Sequence, residues 1–208
     1  MGGVTSLARK AADHGAASCE ASAQGEDTVV DAAAFRSAMR RFAGAVCIVA
    51  TGTPGRRFGL TATAVCSISA DPPRLLVCLN RNTGTHEAIV TNGRLSVNVL
   101  PREAIQLARR FAGMVPGVSG EERFAERDWS TLAGVPVLDG ACVALACRVA
   151  ETIPASTHSM FLCDIVAVHS AAGDPGCSSG EALIYLDGCF RQLAPLACNE
   201  AQPIEWLW

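Results

Sequence analysis

From Gly59 to Ser69 the chain runs through Leu60, Thr61, Ala62, Thr63, Ala64, Val65, Cys66, Ser67 and Ile68, and Asp71-Pro72-Pro73 closes the segment. It is apolar enough for a buried strand, yet it places Thr61, Thr63, Ser67 and Ser69 among small side chains. Small residues let a flat ligand lie close to the backbone, and hydroxyls and amides can bond its edge. A strand built only for packing more often carries Val, Ile or Leu at such places. Read alone, a Thr-rich strand running into a proline turn describes the segment equally well.

The second chemistry-bearing phrase follows the apolar run Leu75–Leu79, which reads as a strand, and presents Asn82, Thr83, Gly84 and Thr85 before a helical turn over His86–Val90. Hydroxyls, amides and free backbone N–H groups at a helix start make an anion cradle, and the positive end of the helix dipole adds to it. By itself Thr83 or Thr85 would be an ordinary N-cap. Together, the two phrases point to a phosphorylated planar ligand. The sequence offers no Gly-x-Gly-x-x-Gly after a strand and no Gly-x-x-x-x-Gly-Lys-Ser/Thr loop, so neither a Rossmann unit nor a P-loop is supported. Gly176 to Gly180 matches Gly-x-Ser-x-Gly. A nucleophile elbow needs a strand before the serine and a helix after it; here Asp174-Pro175 precedes and a strand-like run follows, which rules the hydrolase out.

The elements that must position these residues are mostly strands. A length of 208 residues suits one domain with a sizeable core. We expect an N-terminal extension over 1–30, a domain over 31–194 and a C-terminal tail over 195–208. Phe35, Met39 and Phe42 fall at i, i+4 and i+7 and predict a helix with one apolar face. Strands are predicted at Ala45–Thr51, at Gly59–Ser69 and, as a half-buried alternation, at Leu95–Leu100, with a helix from about Arg102 to Phe111. Met114 to Trp129 reads as a long loop. The last third supplies strands at Ala141–Ala150, Met160–Val168 and Leu183–Leu186. Many short strands with few helices predict a mainly β fold, a barrel with peripheral helices.

Half the residues are hydrophobic and 18% are charged, which indicates a globular body. A net charge of −3 without a basic stripe argues against nucleic acid, and no apolar run approaches a membrane helix. The ten cysteines form no Cys-x-x-Cys pair, so no metal site is expected, and six of them sit in apolar strand-like segments as small hydrophobes. With no signal-peptide core, the expected home is the cytoplasm.

The chain resembles the flavin reductase-like proteins with an FMN-binding split barrel, and in particular the small reductase components of two-component flavin monooxygenases. The resemblance covers about Phe35 to Leu193. It is carried by Phe35–Met39, Thr61–Ser67, Pro72-Pro73, Cys78–Asn82, Ser96–Leu100, Phe111–Met114, Glu121–Phe124, Thr157-His158 and Ile184-Tyr185. It implies NADH- or NADPH-dependent reduction of FMN or FAD in a homodimer, with reduced flavin passed to a partner monooxygenase. Under it, Thr61, Thr63, Ala64, Val65, Cys66, Ser67 and Ile68 would line the isoalloxazine and ribityl chain. Asn82, Thr83, Thr85 and His86 would hold the phosphate end, and Arg123 and Phe124 would lie near the flavin. His158 and Tyr185 would border the nicotinamide, as positioning groups rather than proton carriers. After Tyr185 the chain reads Leu186-Asp187-Gly188-Cys189-Phe190, where relatives are often more basic, so the nicotinamide contacts are the least constrained part. A non-catalytic flavin-binding or redox-sensing protein is the alternative, since a fold alone does not decide function.

Overall fold

The computed structural model describes residues 28–170 and 181–193. The expected C-terminal tail, all but three residues of the expected N-terminal extension, and the Gly176–Gly180 motif lie outside these. Twelve strands appear in chain order: β1 (Gly44–Ala45), β2 (Cys47–Thr53), β3 (Arg56–Ala62), β4 (Val65–Ala70), β5 (Pro73–Asn80), β6 (Arg94–Val99), β7 (Trp129–Leu132), β8 (Val135–Leu138), β9 (Val143–Ala155), β10 (His158–Ser170), β11 (Ile184–Leu186) and β12 (Cys189–Arg191). Three α-helices, α1 (Ala32–Met39), α2 (Gly84–Asn92) and α3 (Ile105–Phe111), and a 3-10 helix over Gly120–Phe124 complete the described set.

The main sheet has seven antiparallel strands in the order β3-β2-β6-β9-β10-β5-β4. Its two outermost strands, β3 and β4, are consecutive in sequence and separated only by Thr63 and Ala64. In a flat sheet these edges would stand about 29 Å apart, whereas the link from Ala62 to Val65 can span at most about 11 Å. The sheet must therefore curl until its edges meet. No ladder pairs β3 with β4, so the resulting barrel is split there. The single strand predicted over Gly59–Ser69 is thus two. The break at Thr63-Ala64 moves the chain from one sheet edge to the other, and Cys78 N–H donates to Ala64 O at 3.0 Å to fix the new register.

Inside the curl lie Cys47, Val49, Leu75, Val77, Leu79, Leu95, Val97, Cys147, Phe161 and Cys163, with Ile89 of α2 closing one end. The period-2 alternation of β5, where Leu75, Val77 and Leu79 are buried and their neighbours are not, points one face inward. A second core forms outside the curl, where Val46, just before β2, and Ile48 and Ala50 of β2 meet α3, β8 and Phe124. Covered on both faces, β2 opens on the unbroken apolar run Cys47–Ala50.

Strand β6 corrects an expectation. Its Ser96 and Asn98 are fully buried rather than facing water. The β7–β8 hairpin, which falls partly in the segment expected to be a loop, covers them. Ser96 Oγ donates to Pro136 O at 2.5 Å, Asn98 Nδ2 donates to Ile48 O at 3.0 Å, and Leu138 N–H donates to Asn98 Oδ1 at 2.8 Å. Hydrogen-bonded in this way, the polar pair is tolerated in the core. Cys66, expected to pack as a small hydrophobe, is exposed on β4, because that strand is the outer edge of the curl. Helix α3 begins three residues later than expected, at Ile105.

Candidate functional site

Where the sheet edges meet, a cleft of about 520 Å³ opens, lined by Leu60–Ala64, Cys78–Asn80, Thr83–Thr85, Phe111, Ala112, Arg123 and His158. Most of the wall comes from the β3–β4 break. Leu60, Ala62 and Val65 turn towards the inner core, while Thr61 turns the other way and donates from Oγ1 to Ala108 O of α3 at 2.7 Å. Its hydroxyl proton is therefore committed to holding α3 against the barrel. Thr63 and Ala64 are exposed at the break itself, where short side chains leave the backbone open to a flat ligand. Gly59 is small for another reason. A Cβ there would lie 2.8 Å from the Phe111 ring and 3.1 Å from Phe124, so its smallness serves aromatic packing and not a ligand.

The opposite wall is the start of α2. Thr83 is its N-cap, accepting from His86 N–H at 3.2 Å and donating to Asn80 O at 3.0 Å. With its proton on Asn80, Thr83 is a cap first. Thr85, only 5% exposed and lining the cleft, is the hydroxyl of this turn left for a ligand, beside the first-turn N–H groups that no helix satisfies internally. Asn82 is exposed just before the cap, its N–H turned to Asn80 Oδ1 at 2.9 Å. His86 is not part of the cleft wall. Its Nε2 lies 2.9 Å from Ser159 Oγ and its ring tilts against Phe161 at 5.2 Å, which makes it a strut between α2 and β10. Burial first, and then the Arg81 charge, lower its pKa from the ordinary value, with Glu87 opposing.

Arg123 forms the third side. Its Nη1 donates to Gly59 O at 3.0 Å and to Phe111 O at 3.4 Å, while Nε is buried with no partner. Three contacts hold it there, and none was visible in the sequence. Arg110, 9% exposed, donates from Nη2 to Glu122 O, from Nε to Arg123 O and from Nη1 to the Glu126 carboxylate, gripping the 3-10 helix. Phe124 is buried edge-on against Phe111 at 4.9 Å and against Trp129 at 4.8 Å. Arg57 lies 4.5 Å over the Phe124 ring and pairs with Glu121. Phe124 is therefore the anchor of its neighbour Arg123 and does not itself line the cleft.

His158 follows a tight turn in which Ser156 has φ 53°. Its register opposite Asn80 brings it to the cleft wall, and the Thr157 hydroxyl sits 2.8 Å from its Nδ1. Tyr185 stays outside the wall, packed on Phe190 at 5.4 Å. Its strand partner Gly44 reaches the site instead: a Cβ on Gly44 would come within 3.1 Å of Thr63 Cβ. Cys66, Ser67 and Ile68 lie on exposed β4 beyond the cleft, and Val65 packs on the inner core. Within one chain, then, Thr61, Thr63, Ala64, Thr83, Thr85, Arg123 and His158 come together. Asn80, Phe111 and Ala112 join them as lining residues that no chemical pattern in the sequence singles out.

Residues 39–194 match the family described as flavin reductase like domain. The FMN reductase (NADH) RutF 2 of Methylorubrum extorquens is 44% identical over 165 residues, 79% of this chain and 91% of that protein. The 4-hydroxyphenylacetate 3-monooxygenase reductase component of Pseudomonas aeruginosa is 42% identical over 77% of this chain and 91% of its own length. Among solved structures, the Streptomyces globisporus NADH:FAD oxidoreductase SgcE6, in complex with NAD and FAD fragments, superposes with a TM-score of 0.70 at 25% identity, covering 81% of this chain and 96% of that one. The curled sheet, the cleft at its split edge and a match over three quarters of the sequence agree: the chain belongs to the flavin reductase-like family.

Proposed function

We propose that the cleft binds a flavin mononucleotide unit beside a reduced nicotinamide, and that the chain is an NADH-dependent flavin reductase supplying reduced flavin to a separate oxygenase. The observation that carries this is the cleft's composition. An open, small-residue backbone at Thr63-Ala64 suits a flat ring, and Thr85 with the α2 N–H groups suits a phosphate. The buried, unpartnered Nε of Arg123 is a polar group in want of an acceptor. A volume of about 520 Å³ lies within the range of small-molecule sites.

The reaction, hydride transfer from the nicotinamide ring to the flavin ring, is the chemistry of the two ligands when bound. What the chain supplies is position. Thr63 and Ala64 leave the backbone bare so that rings can stack, Arg123 and the α2 turn fix one end, and His158 borders the open side, its ring held by Thr157. No side chain has to move a proton in that step.

Reduced flavin is read as a product that leaves. The catalytic unit is taken as 31–194, and the protein as a cytoplasmic homodimer; among the described residues no helix is long and apolar enough to cross a membrane. Phe35, Met39 and Phe42 form an exposed apolar face, and Ile68, Val166 and Val168 are exposed on β4 and β10, surfaces that suit a second copy. NADH oxidation should be saturable in added FMN or FAD and fall towards zero without it. Under anaerobic conditions free reduced flavin should accumulate well beyond the enzyme concentration. Reduction of only one equivalent per subunit would replace this reading with a flavin-binding or sensing one.

A further inference from the structure

Arg123 stands in the sequence among Glu121, Glu122 and Glu126, yet none of the ion pairs among the described residues joins it to a carboxylate. We propose that Arg57 and Arg110 hold the acids on either side of Arg123 away from it and so keep Arg123 an uncompensated cation at the cleft, free for the anionic part of the ligand, a proposal that rests on the functional reading above.

Each acid has another partner. Arg57 grips Glu121: its Nε donates to Oε1 at 2.6 Å, its Nη2 lies 2.5 Å from the same oxygen, and its backbone N–H donates to Oε2 at 2.5 Å. Burial pushes the Glu121 carboxyl up, but the Arg57 side-chain and backbone bonds outweigh it and hold the carboxyl below its ordinary value. Glu126 lies three positions beyond Arg123, a spacing at which helical side chains meet, but its carboxylate is taken by Arg110 Nη1 at 2.6 Å. Glu122 Oε2 accepts from Ser119 N–H at 3.5 Å. What remains to Arg123 is neutral: Gly59 O and Phe111 O accept from Nη1, and Nε is buried with no partner. Carbonyls orient a guanidinium without cancelling its charge.

Strand β3 sets the distance between the two charges. Arg57 anchors Glu121 and Gly59 anchors Arg123, and these positions are two apart on the strand, about 7 Å. That is within the Debye length of about 8 Å at physiological ionic strength. An unpaired Glu121 carboxylate would therefore lower the positive potential at Arg123, and the Arg57 guanidinium is what cancels it. Neither Arg57 nor Glu121 lines the cleft, so both act through Arg123, as positioning residues. A clip that served only to hold the 3-10 helix would duplicate what is already there. Arg110 bonds Glu122 O and Arg123 O, and Phe124 is buried against Phe111 and Trp129.

The probe is FMN, titrated into the full chain by flavin fluorescence, a readout that needs no turnover. Arg57→Met leaves Glu121 charged and should raise the Kd for FMN at least about fivefold, a loss that shrinks as ionic strength rises. Adding Glu121→Gln removes the stray charge, so the double variant should return to within about twofold of the wild type, and Glu121→Gln alone should not weaken binding. In an Arg123→Ala background, Arg57→Met should change Kd by less than about twofold, because the group it acts through is gone. Circular dichroism checks folding, and Arg57→Gln carries the same charge comparison if Arg57→Met misfolds. A merely structural clip behaves the other way: Glu121→Gln alone weakens binding, and the double variant is no better than Arg57→Met. That pattern, or an Arg57→Met variant that folds and binds FMN as the wild type does, overturns the proposal and leaves the reductase reading standing. A wild type that binds no FMN refutes that reading, and the proposal with it.

Discussion

Two helices of nearly equal length meet opposite fates in this molecule. Helix α1 is capped by Asp31, whose Oδ1 accepts from Ala33 and Ala34 N–H at 2.8 Å; α2 is capped by Thr83 and ends on Gly93 in the left-handed conformation. Both are locally well specified. Yet α1 buries nothing, with Phe35 54% and Met39 42% exposed, and Phe42, expected in the same helix, lies beyond its end, while α2 places Ile89 fully inside the curl and Thr85 in the cleft wall. Capping and propensity start a helix, but what it packs against decides what it does. α2 is a working wall of the site. α1 carries an apolar stripe that no described part of its own chain covers.

The comparison breaks most sharply at Ile89. Ile89→Ala should cost about 2–5 kcal/mol of stability, since it opens a cavity where α2 plugs the barrel. Phe35→Ala on α1 should change the stability of an isolated subunit by no more than about 0.5 kcal/mol. Denaturant midpoints at matched protein concentration check both, and equal losses would mean that α1 is packed in a way one chain does not display.

Within α2, the two threonines should separate. Thr85→Val keeps the packing and removes the hydroxyl, and should weaken FMN binding by about 1.5–3 kcal/mol if that hydroxyl bonds the phosphate. Thr83→Ala should act on stability instead, by about 1 kcal/mol, through the lost cap. Flavin titration and thermal melts read the two effects apart. A Thr83 variant that loses affinity without losing stability would return Thr83 to the ligand.

Much of this wall was legible in the sequence. The apolar run Leu75–Leu79 announces β5, and Thr83 or Thr85 ahead of a helical turn announces the α2 cap. The curl was not. Nothing in Gly59–Ser69 breaks a strand locally, since Thr63 and Ala64 are compatible with one; the break follows from which neighbours β3 and β4 find, β2 and β5, and these are tertiary choices. Arg123 was named only by family resemblance. Its placement depends on Arg110, thirteen positions away, and on Phe124 packing against Trp129. The β7–β8 hairpin escaped notice because its strands are four residues each, and its partners Ser96 and Asn98 look like a solvent face until the hairpin covers them.

The exposed stripe sharpens the comparison from the other side. Phe35→Asp with Met39→Asp should convert the proposed dimer to a monomer, because charges would then face an apolar interface. The subunit itself should stay folded, as neither residue is buried within it. Light scattering with circular dichroism tests this. A dimer that survives both substitutions places the interface elsewhere, with the exposed Ile68 and Val168 as the next surface to alter.

The smallest expected effect is a pH dependence seated in α2. The His86 imidazole is held below its ordinary value, chiefly by burial and secondly by the Arg81 charge, against Ser159 and Phe161. A base with a lowered folded pKa is better tolerated neutral than charged in the native state. Between that lowered value and the unfolded one, near 6.5, the unfolded chain binds more protons than the folded one. The stability tied to neutral His86 is therefore fully present above about pH 6.5 and is lost as the pH falls towards the folded value. The loss should be modest, because the ring is only part-buried. His86→Gln, which cannot take up that proton, should flatten the slope of the denaturant midpoint below about pH 6.5. Because His86 ties α2 to β10 rather than lining the cleft, the same variant should move flavin affinity less than Thr85→Val does. If it instead abolishes flavin binding while the acid slope persists, His86 belongs to the ligand and not to the strut.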